Sequence, residues 1–295
     1  MVYRGSFSQC NMFSHYPRQW FYQYILKIPS IQDFCYANAG SAVHHCLDKW
    51  YKKEITDIVQ LKEMFNKEWL TYKLEVSKIS QKQDEYWGMI LNSREHNISA
   101  TSTELKIYFE DALAYLDIVD TNEDIISDHK TSTRSPENEE EYKHQVMFYS
   151  WMYFRKFNRL PKVCRIYYLK YPGSKGLMEF SFTQEDIDYI SKWYNDCLKG
   201  IEETIAINKI PGRCKTCNFF CPYTEICNKQ NEQFNVTLTI QGSYIHINSM
   251  LPEIVNKQLH KKFSYDLKNS YFIKKHYPMA NTHIDFYNDH KHTLP

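Results

Sequence analysis

The chain is expected to be an α/β protein: a mixed central sheet flanked by helices, with a helical insertion and a small α+β module at its C-terminal end. Two observations carry that expectation. Before residue 100 apolar residues recur at helical spacing, then alternate with polar residues from Leu105 onward. From Glu139 the helical spacing returns, and strand-like runs resume near residues 163–170 and 177–182.

Each element has a local reason. Residues 7–27 read as two short helices broken around Pro17, which cannot donate within a helix. Gly40 to about Tyr51 reads as a helix, with Val43, Leu47 and Trp50 at helical spacing. Residues 55–99 read as helical throughout, amphipathic and mixed in charge. Leu105, Ile107 and Phe109 mark a half-buried strand, and two more are expected near 113–119 and 124–130. Thr131 to Asn138 is a polar loop containing Pro136, and Glu139 to about Phe157 is a helix with acidic residues in its first turn. Thr183, with Asp186 three residues on, resembles an N-cap before a helix to about 207. After a polar joint at 228–233, Val236–Ile240 and Tyr244–Ile247 read as a hairpin around Gln241-Gly242, followed by helices near 250–262 and 264–272. Residues 1–230 are thus read as one domain and 231–295 as a small accessory module.

Composition narrows the classes. At 295 residues and 43% hydrophobic, the chain can bury a sizeable core. Lys+Arg number 36 against 35 Asp+Glu, so any basic surface has to be local. The first residues have no apolar leader segment, and no apolar run approaches the ~18 residues of a membrane span. A reducing cytoplasm without a membrane partner is expected, and clustered cysteines there suit metal rather than disulfides.

The chemistry concentrates at Asp124-Ile-Ile-Ser-Asp128-His-Lys130. Residues i and i+2 of a strand share a face, so Asp128 and Lys130 project together. Asp117 on the preceding strand faces away from Leu116 and Ile118, and side-by-side strands bring the two carboxylates close. Such like charges are costly unless a cation lies between them, and hard divalent cations take carboxylate oxygens. Upstream, His44 on a helix can add a nitrogen ligand, although His45 adjoins it. Downstream, Gln145 and Tyr149 lie one helical turn apart on one face.

The order His44, Asp117, Asp128-x-Lys130, Gln145-x-x-x-Tyr149 resembles the RecB-type branch of the PD-(D/E)XK nuclease superfamily, with its restriction-endonuclease-like core. The resemblance runs from Phe7 to Cys227, and Tyr16-Pro-Arg-Gln-Trp-Phe21 is similar to that branch's Cys-Pro-Arg/Lys-aromatic start. It implies His44, Asp117, Asp128 and the backbone carbonyl of His129 as ligands of Mg²⁺ or Mn²⁺. Lys130 would be the catalytic lysine, and Gln145 and Tyr149 would line the DNA path. Ala114 departs from a glycine that the family often places three residues before the first aspartate, and removes no catalytic atom.

A second signal is Cys214-x-x-Cys217-x-x-x-Cys221-Pro-Tyr with Cys227, four thiols in one short stretch poised for a soft metal. Structural Zn²⁺ and an iron–sulfur cluster both fit. The resemblance, which extends to the CRISPR-associated adaptation exonucleases, implies a [4Fe-4S] cluster. In those relatives the first cluster cysteine comes from the N-terminal motif, where this chain has Tyr16; either Cys10 substitutes or Cys214 completes a local set. Cys35, Cys46, Cys164 and Cys197 fall in helical or strand patterns and are expected in the core.

The reading is therefore a Mg²⁺- or Mn²⁺-dependent deoxyribonuclease. The resemblance implies exonuclease action on single-stranded or frayed DNA ends in replication, recombination or repair, in a bacterial or phage-infected cytoplasm. A helicase or a recombination protein would be its partner. The chain has no Gly-x-x-x-x-Gly-Lys-Ser/Thr, so no ATP motor is expected in it. Two alternatives stay open: a catalytically weak DNA-binding or assembly protein on a nuclease fold, and the nuclease part of a split nuclease–helicase.

Overall fold

The structure is a computed structural model. It describes residues 4–28, 30, 33–96, 98–206, 211, 212, 214, 221–224 and 227, and the backbone of 236–241 and 244–249. The chain divides into two compact units, Asp33–Tyr194 and the pair of end segments Met1–Gln32 and Asn195–Pro295.

The end-segment unit opens with a two-residue strand, β1 (Gly5–Ser6), and helices α1 (Phe7–His15) and α2 (Pro17–Trp20), the latter running into a π turn at Phe21–Ile25. Ser6 caps α1 through its hydroxyl. The break falls at Tyr16, as the proline predicts. Within this unit Tyr223 donates to the Ile28 carbonyl at 2.9 Å and meets Tyr22 edge to face at 5.6 Å.

The Asp33–Tyr194 unit holds helices α3 (Cys35–Tyr51), α4 (Ile58–Thr71), α5 (Gln83–Glu95) and α6 (Pro136–Phe157), and the first part of α7 (Gln184–Ala206). Its strands are β2 (Ser102–Tyr108), β3 (Ala112–Asp120), β4 (Ile125–Lys130), β5 (Val163–Tyr168) and β6 (Leu177–Phe180). They pair in the order β2-β3-β4-β5-β6; β4 and β5 are parallel and the other pairs antiparallel. The parallel pair is joined through α6, the crossover that parallel strands require. The mixed sheet with flanking helices is the architecture expected.

Three boundaries differ from the sequence reading. Helix α3 starts at Cys35 rather than Gly40, because the Asp33 carboxylate accepts from the Cys35 N–H at 2.9 Å. Residues 55–99 are not one helical run: Lys73 takes a left-handed φ of 54°, and two 3₁₀ turns separate α4 from α5. Helix α6 begins at Pro136, within the expected loop, with the Ser135 hydroxyl accepting from the Asn138 N–H. The Thr183–Asp186 capping box is present in both directions, at 2.8 and 3.3 Å. In the tail, the backbone of β7 (Val236–Gln241) and β8 (Tyr244–Ser249) forms the expected antiparallel pair. The two helices expected after it lie outside the described residues.

Helices α3, α4 and α5 bury Val43, Leu47, Leu61, Phe65, Trp69, Met89 and Ile90 in one cluster, reached from the sheet by Tyr167. The helical insertion therefore buries its own apolar faces and gives α3 a firm seat. Cys35, Cys46, Cys164 and Cys197 are buried, as their patterns suggested. Among the described residues no helix is long and apolar enough to cross a membrane.

A close approach at Gly176 shapes the entry to β6. A Cβ there would stand 2.6 Å from the carbonyl oxygens of Tyr168 and Tyr171. Gly176→Ala is expected to destabilise the fold by about 2 kcal/mol through forced backbone displacement. A urea midpoint unchanged from the parent protein would contradict this.

Candidate active site

Antiparallel pairing of β3 with β4 places Ile118 opposite Ser127, so Asp117 and Asp128 come next along the same ladder. The His129 N–H donates to Asp117 Oδ2 at 2.9 Å and fixes that carboxylate. Helix α3 supplies His44, whose Nδ1 lies 3.3 Å from Asp117 Oδ2. The helix can come close because Gly40, one turn earlier, has no side chain; a Cβ there would stand 3.0 Å from Thr131 Oγ1, just past β4. His45 points elsewhere, to Glu68 of α4 at 3.2 Å. His44 is thus the histidine of this site.

Asp128 faces Lys130, with Nζ to Oδ2 at 2.7 Å. Lys130 also donates to Gln145 Oε1 at 2.8 Å, and Gln145 Nε2 donates to the Tyr149 hydroxyl at 2.6 Å. The Tyr142 ring lies 4.3 Å from the same ammonium. Gln145 and Tyr149 therefore form a relay that aims Lys130, a role their spacing alone did not disclose. The His129 side chain lies on the opposite side, buried, 3.3 Å from Ser93 Oγ and stacked on Tyr51.

One residue escaped the sequence reading. Glu104 on β2 stands across from Asp117, between the pairs Thr103–Ile118 and Leu105–Leu116. Ligand atoms of His44, Glu104 and Asp117 all lie within 4.8 Å of one another. Glu104 takes a left-handed φ of 49°, which a side chain other than glycine rarely adopts. The alternation of Leu105, Ile107 and Phe109 put Glu104 on the polar face, but only the register puts it beside Asp117. A cavity of about 510 Å³ opens over these three groups, lined also by Gly40, Asp48 and Thr131.

Electrostatics match a cation-binding cluster. Burial raises the Asp128 carboxyl to about 6; Lys130 opposes and the Asp117 charge adds to the rise. Burial works against a charged Asp117 too, yet His44 holds that carboxyl well below the usual range. Burial would lower the His44 imidazole, but Asp117 and then Asp128 outweigh it and raise it to about 9. Glu104 is raised by burial and by Asp117. Lys130 is raised, the two aspartates overcoming its burial, so it stays an ammonium. Burial lowers the His129 imidazole to about 3, which leaves it neutral. Three carboxylates competing in one place, with one imidazole beside them, are a donor set that could hold a divalent metal ion.

The cysteine stretch belongs to the other unit. Cys214, Cys221 and Cys227 are half-buried, and Cys217 lies outside the described residues. Cys227 neighbours Cys214, the Arg18 side chain and the Tyr22 hydroxyl. Arg18 Nε donates to the Pro211 carbonyl at 3.0 Å. Cys10 is buried on α1 beside Cys197, whose sulfur is 3.9 Å from the Cys10 carbonyl oxygen.

Residues 4–228 match the family model described as the PD-(D/E)XK nuclease superfamily. No curated protein matches the chain.

Proposed function

Because the chain belongs to the PD-(D/E)XK nuclease superfamily, we propose that it is a Mg²⁺- or Mn²⁺-dependent deoxyribonuclease of the RecB-like branch, acting as an exonuclease on single-stranded or frayed DNA ends. The observation that carries this reading is the meeting of His44, Glu104 and Asp117 beside the Asp128–Lys130 pair.

His44, Asp117, Asp128 and Glu104, with the His129 carbonyl, would hold a divalent cation, which would supply Lewis acidity toward a phosphodiester and acidify a water. The remaining work falls to the chain. Lys130, favoured as an ammonium by Asp128 and Asp117, offsets negative charge that grows on the phosphoryl oxygens. Asp128 and Gln145 fix its direction, and Tyr149 fixes Gln145. The cavity over the cluster has room for a phosphodiester, and Glu104 forms one of its walls.

In this reading Cys214, Cys217, Cys221 and Cys227 hold a [4Fe-4S] cluster or a Zn²⁺ ion with a structural role. Support comes from Cys214 and Cys227 being neighbours, with Tyr22 and Tyr223 anchoring that stretch to the N-terminal helices. A helicase or a recombination or replication protein in a bacterial or phage-infected cytoplasm would deliver the DNA ends.

End-labelled single- and double-stranded DNA incubated with Mn²⁺, with and without EDTA, tests the proposal. Stepwise shortening from an end of the single strand, abolished by EDTA, is expected. No cleavage of either DNA under any divalent cation would sink it.

A further inference from the structure

The face of the sheet that carries Asp117 continues outward along β2 and β3. Tyr115 is two residues from Asp117 on β3 and shares its face; Lys106 is directly opposite Tyr115, and Tyr108 is opposite Leu113. Tyr108 is 54% exposed and Tyr115 48%, high values for large hydrophobic side chains. Lys106, also exposed, stands between them, its Nζ 5.6 Å from the Tyr108 ring and 5.8 Å from the Tyr115 ring.

The other face of the same hairpin is core: Ile107, Ala114 and Leu116 are at most 4% exposed. Arg155 clamps the hairpin tip with both Asp111 oxygens, at 2.9 and 3.2 Å, and lies 4.0 Å over the Phe109 ring. The exposed side is thus a rigid ladder, not a loose loop. Its rungs are Glu104 with Asp117, then Lys106 with Tyr115, then Tyr108 with Leu113.

Successive rungs on one face are about 6.8 Å apart. That is about twice the 3.4 Å rise per base of a stacked strand in duplex DNA. The ladder therefore matches an extended, unstacked strand. Aromatic faces flanking a cation are the elements that hold unpaired bases and the phosphate between them. Duplex bases are stacked on each other and cannot reach these rings.

We infer that the exposed face of the β2–β3 hairpin is a track for single-stranded nucleic acid leading away from the carboxylate cluster. Tyr115 and Tyr108 stack the first and second bases beyond the reacting phosphodiester, and Lys106 binds the phosphate between them. This deepens the nuclease reading and rests on it.

The test is fluorescence anisotropy of a labelled oligothymidylate, in EDTA so that nothing is cut, against Tyr115→Ala, Tyr108→Ala and Tyr115→Phe. Each alanine is expected to weaken single-strand binding about tenfold, the effect of losing one stacked base, while the phenylalanine keeps it. Duplex binding should not change. Wild-type affinity in both alanine variants, or an equal loss for duplex, would overturn the track. A separate arm isolates the nuclease reading: wild-type protein with Mn²⁺ is given bis(p-nitrophenyl) phosphate, too small to reach the ladder. Failure to hydrolyse it counts against the nuclease reading, whatever the binding arm returns.

Discussion

Lys130→Ala protein should bind DNA nearly as tightly as the parent chain and cut it at least about 10²–10³ times more slowly, the loss expected when one fixed charge stabilising a transition state is removed. Asp128→Asn should lose more, because it removes a carboxylate from the cation cluster and the ion pair that aims Lys130 at 2.7 Å. Gln145→Ala should fall between the parent and Lys130→Ala, with kcat reduced and KM unchanged, since Gln145 acts through the Lys130 ammonium it accepts from at 2.8 Å. Single-turnover cleavage with a parallel binding titration separates these effects. Melting curves for each variant guard against misfolding, since Asp128 is only 2% exposed and Lys130 loses its partner when the charge is removed. Full activity in Lys130→Ala would show that the motif has been misread.

Manganese affinity should climb steeply with pH. The metal takes a neutral imidazole and ionised carboxylates, so every ligand proton present beforehand must leave. His44 keeps its proton up to about 9 because Asp117 outweighs burial. Between about pH 6 and pH 9 one proton is therefore expelled per ion bound, and the logarithm of the association constant should rise by about one per pH unit. Below about 6 Asp128 also carries a proton, so the slope should approach two. Across the upper window the change is about a thousandfold. Calorimetry in buffers of different ionisation enthalpy counts the protons directly. His44→Gln should flatten the slope between pH 6 and 9. Glu104→Gln should keep the slope and lower affinity at least about tenfold, since losing a charged ligand costs no less than losing a group that only supports one. An affinity independent of pH between 6.5 and 8.5 would mean that His44 does not meet the ion. In the metal-free protein the His44–Asp117 pair works the other way. It adds stability in full below about 6.5, and that stability is gone once pH passes about 9.

The elements were legible where chain-local physics sets them. Pro17, the Thr183–Asp186 box and the alternation around Leu105–Phe109 each act over a few residues, and each appears where it was read. The differences fall where a nearby carboxylate or a left-handed backbone residue, neither marked by the apolar pattern, begins or ends an element. Asp33 starts α3 early, and Lys73 breaks the run after α4 by adopting a conformation no residue type in that stretch announces. His44 could not be told from His45 in the sequence, because both lie on one helix and only packing decides which meets β3.

By itself the sequence determined the set of chemical groups: two aspartates, a lysine two residues after the second, a histidine, and a Gln/Tyr pair in a fixed order. Spacing of two in a strand and four in a helix decides which of them share a face, and that is local geometry. The tertiary structure alone decided their company. Strand register set Glu104 across from Asp117, the close approach at Gly40 brought His44 within reach, and helix α6 turned Gln145 onto Lys130. Register and helix docking come from burying apolar faces spread over the whole unit, among them Ile107, Leu116, Val43 and Phe148. The contacts that gather His44, Glu104 and Asp117 around an Asp-x-Lys motif are therefore written in core residues far from the motif.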